Sequence, residues 1–311
     1  MIDLHNHILP GIDDGAPDLA TALAMARVAV ADGIHTIACT PHIYPGLYEN
    51  TAKSIRAAIT ALQSELDTAG IPLRLVEGAD VHLAPDLLES LRADRIPTLN
   101  RTRYLLLEPP HHVAPPRFEE QVFKLISHGY VPLITHPERL TWIEDHYPIF
   151  LRVAKAGAWL QITAGALTGR FGKRPRYWAQ KLIDEGPVHI IASDAHSVHR
   201  RPPLLAEAQA LAARQVGDTE AWAMVRERAR AVIDNLPADR KLVSAPPAPP
   251  APRAKPSRQA GGSIARREFA QIATRVAPTA RLLRQCLCRS GGSREQLRAT
   301  TTRLEAQAPR G

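Results

Sequence analysis

The chain has 311 residues and a formal net charge of +8, but this charge is divided unevenly along the sequence. Residues 1–244 carry 26 Lys and Arg against 28 Asp and Glu and contain all 13 histidines, whereas residues 245–311 carry 13 basic and three acidic residues. The positive charge therefore belongs to the C-terminal tail, so it gives no reason to expect an acidic substrate or a nucleic acid as a partner of the folded part.

Residues 245–311 open with a Pro- and Ala-rich stretch and continue with an Arg-rich sequence broken by glycine and proline. Proline lacks the amide donor that a helix needs, so we expect a linker and a mostly disordered basic tail. The alternative is a functional arm that binds an anionic surface, such as anionic lipid or nucleic acid. Residues 1–244 are enough for one large core and are expected to form one domain. The three cysteines show no disulfide pattern, and we expect neither a signal peptide nor a membrane-spanning segment. The sequence therefore predicts a cytoplasmic protein.

Strand-like and helix-like segments alternate through residues 1–244. The predicted strands are residues 2–4, 35–39, 73–78, 104–107, 131–135, 158–163 and 188–193. The predicted helices run from Asp18 to residue 32, from Asn50 or Thr51 to residue 70, and over 85–93, 116–128, 138–156, 177–185, 203–215 and 220–235. Parallel strands need such crossovers, and seven strands flanked by helices predict an α/β fold of the TIM-barrel type, with seven (β/α) units, rather than an open doubly wound sheet.

Histidines and carboxylates that can bind metal recur where the predicted strands end. They are His5, His7, His42, Asp80, Glu108, His136, Asp194 and His196. The carboxyl ends of parallel strands in a barrel open onto one rim, so these side chains should converge there. Imidazole and carboxylate donors without thiolate suit Mn, Fe, Zn, Co or Mg, and eight donors exceed what one ion can use. The pattern predicts a centre with more than one metal ion.

The motifs around these positions, taken in order, resemble those of the bacterial tyrosine-protein phosphatases of the polymerase-and-histidinol-phosphatase (PHP) superfamily, which act in capsular and extracellular polysaccharide biosynthesis. The resemblance covers about residues 1–240. The motifs are MIDLHNH at 1–7, GIDDG at 11–15, TPH at 40–42, EGAD at 77–80, IPTLN at 96–100, ITHPER at 134–139, ASDAH at 192–196 and RPP at 201–203.

This resemblance implies a distorted (β/α)7 PHP barrel with two to three metal ions, most often Mn²⁺, that removes phosphate from the Tyr-rich tail of a tyrosine kinase of polysaccharide biosynthesis. It implies one ion held by His5, His7, Asp80 and Asp194, a second by Asp80, Glu108 and His136, and a third by His42 and His196, with Asp14 as a nearby ligand or acid. Asp80 stands where members of the family commonly have Glu.

The chemistry of phosphate esters supports this interpretation. A phosphate monoester is inert, so its hydrolysis needs an activated water molecule and stabilisation of charge on the phosphate oxygens, without requiring a covalent Cys intermediate. Arg139 and Arg201 follow the fifth and seventh predicted strands. Because planar guanidinium groups suit bidentate phosphate contact, we predict that both bind the phosphate as catalytic residues.

Two alternative functions remain open from the sequence. Another PHP phosphoesterase, such as a histidinol phosphatase or a nuclease-like enzyme, would share the scaffold. A catalytically silent regulatory module would keep the fold but lose metal ligands, whereas every expected ligand position here holds a residue that can bind metal. An amidohydrolase would share the His-x-His pair but would need a strand-end lysine, and no predicted strand ends in lysine.

Several other polar residues have simpler expected roles. His82 is expected at the surface, facing the helix layer, and His189 is expected to be solvated. Tyr44 and Tyr48 are expected either to pack against a phosphotyrosine ring or only to close their loop. His111 and His112 lie on a predicted rim loop and are expected either to contact substrate or to be unpaired loop histidines.

Overall fold

The structure is a computed structural model and describes residues 1–237. The expected domain boundary at residue 244 and the tail 245–311 lie outside the described residues. Nine strands are present in the described part: β1 Ile2–Asn6, β2 Thr36–Cys39, β3 His42–Ile43, β4 Arg74–Glu77, β5 Asp80–His82, β6 Tyr104–Glu108, β7 Val131–Thr135, β8 Trp159–Thr163 and β9 Val188–Ala192. All paired strands run parallel, as the crossover pattern predicted.

The crossover helices have the ends that their capping residues predict. Asp18 caps the first helix by accepting a hydrogen bond from the Thr21 amide at 2.8 Å, and Thr51 forms a capping box with Ser54 at the second. The helices are α1 Leu19–Ala31, α2 Ala52–Thr68, α3 Leu87–Arg92, α4 Phe118–Ser127, α5 Ile143–Ala156, α6 Ala164–Leu167, α7 Lys173–Asp184, α8 Ala206–Val216, α9 Asp218–Trp222 and α10 Arg228–Ile233.

Some elements differ from the predicted ones. The predicted helix 138–156 is divided into a 3₁₀ turn, Pro137–Arg139, and α5, and the predicted helix 220–235 contains a π-helical turn at Ala223–Glu227 between α9 and α10. Helix α7 begins four residues earlier than predicted, and α6, a second 3₁₀ turn at Leu99–Arg101, and the short strands β3 and β5 were not predicted. No helix among residues 1–237 is long and apolar enough to span a membrane.

The sheet hydrogen bonds do not close into the single barrel that we expected. The described strands form one sheet in the order β1-β2-β4 and another in the order β3-β5-β6-β7-β8-β9. The breaks fall at Pro41, which has no amide to donate, and at Gly78, where a Cβ atom would lie 2.8 Å from the Leu99 side chain. A single bridge between Asn6 and Ala195 links β1 to the segment after β9.

The strands are buried on both faces, as expected of a parallel sheet covered by helices. Along β6, Leu105 and Leu107 belong to a large apolar cluster that includes residues of most helices, whereas Tyr104 and Leu106 belong to a smaller cluster with Val232 of α10. This packing fixes the strands, so the residues at their carboxyl ends have well-defined positions.

Candidate metal centre

The structure brings all eight predicted donor residues together at the carboxyl ends of the strands. In the first group, His5 Nε2 lies 3.2 Å from His7 Nε2, 3.3 Å from Asp80 Oδ2 and 3.4 Å from Asp194 Oδ1. His7 Nε2 lies 3.5 Å from the same oxygen of Asp194. These are the four residues that the resemblance assigns to the first ion.

A second group surrounds Glu108, at the end of β6. One carboxylate oxygen, Oε2, lies 3.4 Å from His42 Nδ1, and the other, Oε1, lies 3.7 Å from His136 Nε2. His42 Nδ1 is also 3.6 Å from Asp80 Oδ2. The same Asp80 oxygen therefore faces both groups, although its side chain is shorter than that of Glu. His111 adds a further nitrogen, with Nε2 at 3.4 Å from Glu108 Oε1.

A third group forms around Asp14, which lies in the loop after β1. Asp14 Oδ1 is 3.3 Å from His196 Nε2 and 3.5 Å from His42 Nε2. Together with His7, these residues place one donor atom each within 4.8 Å of one another. The imidazole of His42 thus presents Nδ1 to the second group and Nε2 to the third.

Asp80 shows that the cluster suits a cation. Its carboxylate is fully buried, and neither oxygen accepts a hydrogen bond from any residue in 1–237. A buried carboxylate whose oxygens accept no hydrogen bond is destabilising by about 1–3 kcal/mol, which the charges of His5 and His42 offset in part. The surrounding donors are oxygen and imidazole nitrogen, which are the ligands that Mn²⁺, Fe²⁺ and Zn²⁺ accept in proteins. The residues therefore fit a metal centre.

Two residues that the sequence interpretation missed orient the first histidines. His5 Nδ1 donates to Gln161 Oε1 at 2.9 Å, and His7 Nδ1 donates to Asp13 Oδ2 at 2.7 Å, so that each Nε2 points into the cluster. The other oxygen of Asp13 accepts from the Gly15 amide at 2.9 Å. Asp13 is part of the GIDDG motif, so a signal for it existed, whereas Gln161 sits within β8 and had none.

Gly15 allows this loop to approach β1 closely. A Cβ atom at this position would lie 2.0 Å from the backbone oxygen of His7. Any larger residue would push the loop, with Asp13 and Asp14, away from the cluster.

Two of the donor residues have a left-handed backbone. His136 directly follows β7 with φ +34° and ψ 52°, and Asp194 follows β9 with φ +51°. Residues other than glycine adopt this region at a penalty of about 1–3 kcal/mol, and such conformations concentrate at functional sites. The two turns aim the side chains into the cluster.

The charges of the candidate metal ligands favour the binding of a cation. Burial lowers the pKa of His5, but the carboxylates of Asp80 and Asp194 outweigh it and raise this pKa to about 9. The pKa of His42 rises to about 10 because Glu108 and Asp80 outweigh its burial. Burial and the neighbouring His7 instead lower the pKa of His196 to about 4. Because metal ligands must be deprotonated, binding of a cation would displace protons from His5 and His42.

Both predicted arginines reach the edge of this cluster. Arg139 Nη1 and Arg201 Nη2 contact the same oxygen of Asp194, the latter at 2.6 Å. The Phe171 ring supports both guanidinium groups, with its centroid 4.7 Å from Arg139 Cζ and 5.9 Å from Arg201 Cζ. Burial would raise the pKa of Asp194, but His5 and the two arginines hold it well below its usual value.

Part of the cluster and both arginines line a cleft of about 470 Å³. His82 also lines this cleft, and its ring lies edge-on to Tyr44 at 4.1 Å. The expectation that His82 faces the helix layer was therefore wrong. Because β5 begins at Asp80, residues 80 and 82 project to the same side of that strand.

The expectation that His189 is solvated was also wrong. It is buried within β9, where its ring stacks on Trp159 at 5.0 Å and its Nδ1 accepts from the Leu160 amide at 3.2 Å. Burial and the nearby Arg228 lower its pKa to about 3, so it is neutral. This histidine supports the sheet and lies outside the cleft.

A parallel α/β fold whose strand ends carry a buried cluster of histidines and carboxylates defines the class of metal-dependent hydrolases. Comparison with known families is more specific. The chain belongs to the CpsB/CapC family of capsular polysaccharide synthesis, whose model matches residues 1–234.

Individual members of the family are similar over nearly their whole length. The tyrosine-protein phosphatase YwqE of Bacillus subtilis is 38% identical over 237 residues, which cover 76% of this chain and 92% of YwqE. The tyrosine-protein phosphatase CpsB of Streptococcus agalactiae is 28% identical over 244 residues, covering 76% of this chain and 99% of CpsB. Among solved structures, those of YwqE and of CpsB from Streptococcus pneumoniae are described as metal-dependent tyrosine phosphatases. One of these chains matches with a TM-score of 0.73 and 35% identity, covering 76% of this chain and 95% of its own length.

One sequence feature outside the described residues bears on the mechanism. Cys288 and Arg294 are separated by five residues, the spacing of the thiol-based tyrosine phosphatases. Both lie beyond residue 234, where the family match ends. The mechanism expected from the strand-end donors does not use them, and removal of the tail tests this directly.

Proposed function

We propose that this chain is a metal-dependent protein-tyrosine phosphatase that removes phosphate from a tyrosine kinase of capsular or extracellular polysaccharide synthesis, in the cytoplasm. The main support is the position of the buried Asp80 carboxylate, which accepts no hydrogen bond from residues 1–237 and lies near the imidazoles of His5 and His42. Two arginines of the same site line the adjacent cleft. The names of the relatives support the substrate class.

The proposed metal ligands follow the three groups described above. We assign His5, His7, Asp80 and Asp194 to one ion, Asp80, Glu108 and His136 to a second, and Asp14, His42 and His196 to a third, with Mn²⁺ as the most suitable metal and two to three ions per chain. When bound, neighbouring divalent ions lower the pKa of a water molecule towards neutrality and neutralise phosphate oxygens.

Arg139 and Arg201 would bind and orient the phosphate. Each guanidinium has five N–H donors, and each is held by Asp194 on one side and Phe171 beneath it, so further donors remain for phosphate oxygens at the cleft. A planar fork fixed in this way can contact two oxygens of the transferred group at once, and this contact strengthens as charge develops on them.

Asp14 is better placed to hold charge than to donate a proton. Burial would raise its pKa, but the contact with His196 and the charge of His42 outweigh this and lower the pKa well below its usual range. An ionised carboxylate at the mouth of the cluster suits a ligand. The catalytic role of Asp14 would then be to help hold the third ion in place.

The test compares three substrates on metal-loaded protein: a phosphotyrosine peptide, the same peptide with phosphoserine, and histidinol phosphate. We expect kcat/KM to be at least about 100-fold higher for the phosphotyrosine peptide, a difference of about 2.7 kcal/mol. His136→Ala should abolish this turnover, whereas His128→Ala, at an exposed position after α4, should leave it intact. Preference for histidinol phosphate would favour the alternative phosphoesterase, and absence of turnover on all three would favour the silent module.

A further inference from the structure

The cleft beside the candidate metal centre is lined by two chemically different sets of residues. One set is charged and polar and comprises Arg139, Arg201 and five residues of the centre, Asp14, His42, Glu108, His136 and Asp194. The other is an outer wall, which we define as six residues from the loops after β3 and β6 and from β5: Tyr44, Leu47, Tyr48, His82, Pro109 and Val113. The volume of about 470 Å³ is within the range of about 300–1,000 Å³ found for small-molecule sites and exceeds the needs of a phosphate group alone.

The first loop of the outer wall is a tight turn held by its own backbone. The Tyr44 amide donates to the Tyr48 oxygen at 3.0 Å, and the Tyr48 amide donates to the Tyr44 oxygen at 2.8 Å. Gly46 makes the turn possible with φ +83°. Leu47 lies at its tip and is 62% exposed. The turn therefore fixes an apolar side chain at the mouth of the cleft.

The second loop is tied to the segment that follows Arg139. The indole nitrogen of Trp142 donates to the Pro110 oxygen at 2.8 Å, and the Thr141 amide donates to the His111 oxygen at 3.0 Å. Val113, beyond these contacts, is 68% exposed and also lines the cleft. This loop presents a second apolar side chain from an anchored backbone.

The two tyrosines of the outer wall already have aromatic partners within the protein. Tyr48 stacks on His42 with 5.6 Å between ring centroids and 17° between planes, and Tyr44 packs edge-on against His82. Leu47 and Val113 differ from them, because most of their surface faces solvent. Covering such apolar surface with a ligand is favourable by about 25 cal/mol per Å².

We propose that Leu47 and Val113 bind the aromatic ring of the phosphate ester and thereby make the cleft selective for aryl over alkyl phosphate monoesters. This inference rests on the proposed function, since it requires the phosphate to sit at the arginines and the metal centre. A ring attached to that phosphate would occupy the same cleft, which Leu47 and Val113 line together with the two arginines. The short side chain of phosphoserine would leave both apolar side chains uncovered.

Two phosphonates that cannot be hydrolysed test this selectivity without enzyme turnover. Phenylphosphonate carries a ring, whereas methylphosphonate carries only a methyl group, and calorimetry can measure binding of each to the full-length protein with saturating Mn²⁺. We expect wild type to bind phenylphosphonate at least about tenfold more tightly, the effect of burying about 55 Å² of apolar surface. The double variant Leu47→Ser/Val113→Ser should reduce this preference to less than about threefold.

A matched control uses exposed apolar residues elsewhere. Leu19 and Phe123 are each 38% exposed and do not line the cleft, so Leu19→Ser/Phe123→Ser should keep the full preference for phenylphosphonate. Equal binding of the two phosphonates by wild type, or a preference that survives in the Leu47→Ser/Val113→Ser variant, would overturn the aryl selectivity alone. Failure of wild type to bind either compound would instead overturn the phosphate site and the proposed function with it.

Discussion

Two fully buried aspartates, Asp3 at the start of β1 and Asp80 at the start of β5, have opposite surroundings. The oxygens of Asp3 accept from the Ser193 amide at 2.9 Å, from the Ser193 hydroxyl at 2.5 Å and from Asn6 Nδ2 at 2.9 Å. The oxygens of Asp80 accept no hydrogen bond from residues 1–237, and Oδ2 lies 3.3 Å from His5 Nε2 and 3.6 Å from His42 Nδ1.

The difference shows what identifies a functional carboxylate in this protein. Burial is common to both residues, so burial alone does not distinguish them. Asp3 links β1 to the segment after β9 and is satisfied by the polypeptide itself. Asp80 lacks hydrogen-bond donors among residues 1–237, and a bound cation would supply ligation and replace the protons of His5 and His42.

The largest expected effect is that of Asp80→Asn. Removing the shared carboxylate oxygen should reduce the bound metal by at least one ion per chain and lower kcat/KM on a phosphotyrosine peptide by about 10³-fold or more, which corresponds to about 4 kcal/mol. In chelator-treated protein the same change removes a carboxylate that accepts no hydrogen bond, but it also removes the negative charge beside the protonated His5 and His42, so the free energy of unfolding should change by less than about 1 kcal/mol. Metal analysis, steady-state kinetics and denaturant unfolding measure the three quantities.

Asp3→Asn is the matched partner of that variant. The side-chain NH2 group of asparagine would replace one oxygen that now accepts hydrogen bonds from Ser193 and Asn6. The chelator-treated protein should therefore lose about 1–3 kcal/mol of stability. Destabilisation of the two variants by the same amount would remove the distinction between the aspartates.

A smaller effect is expected from Arg139→Lys. The change keeps the positive charge beside Asp194 but removes the planar fork, so kcat/KM should fall by about 2–3 kcal/mol, or roughly 30- to 150-fold, with metal content retained. Unchanged kinetics would exclude Arg139 from phosphate binding. Loss of metal at the same time would mean that its main role is to hold Asp194.

His189 provides a comparison with the histidines of the cluster, since it is buried but lies outside the cleft. Its pKa is lowered to about 3 in the folded protein, so the unfolded chain takes up the proton more readily, and stability should fall as the pH drops below about 6.5. His189→Asn keeps an acceptor for the Leu160 amide and cannot titrate. Between pH 7 and pH 5, chelator-treated wild type should lose about 1–2 kcal/mol more than this variant. Parallel pH curves would contradict the neutral state of His189.

The smallest expected effect is that of removing the tail. A chain that ends at residue 244 keeps all eight donors and both arginines but lacks Cys288 and Arg294. It should bind the same metals and hydrolyse a small aryl phosphate at the full-length rate. A large loss of turnover would show either that the tail belongs to the fold or that Cys288 takes part in the reaction.

The sequence predicted the parallel strands, the helix caps and the residues that converge at the strand ends, because these depend on local patterns and on one topological rule. The break at Pro41 could have been predicted, because proline has no amide to donate. The break at Gly78 could not, because it depends on a contact with Leu99, which is distant in sequence. The misplacement of His82 has the same origin, since it followed from treating residues 73–78 as the whole of the third strand. Gln161 could not be found either, because a single glutamine in a strand has no distinctive pattern.

The most direct test of the account is metal analysis of purified, active protein before and after treatment with a chelator, with hydrolysis of a phosphotyrosine peptide followed in the same samples. We predict at least two bound divalent metal ions per chain, loss of activity on chelation, and restoration that is most complete with Mn²⁺. An active preparation that contains one ion or none would contradict the proposal that the strand-end cluster is a polynuclear metal centre.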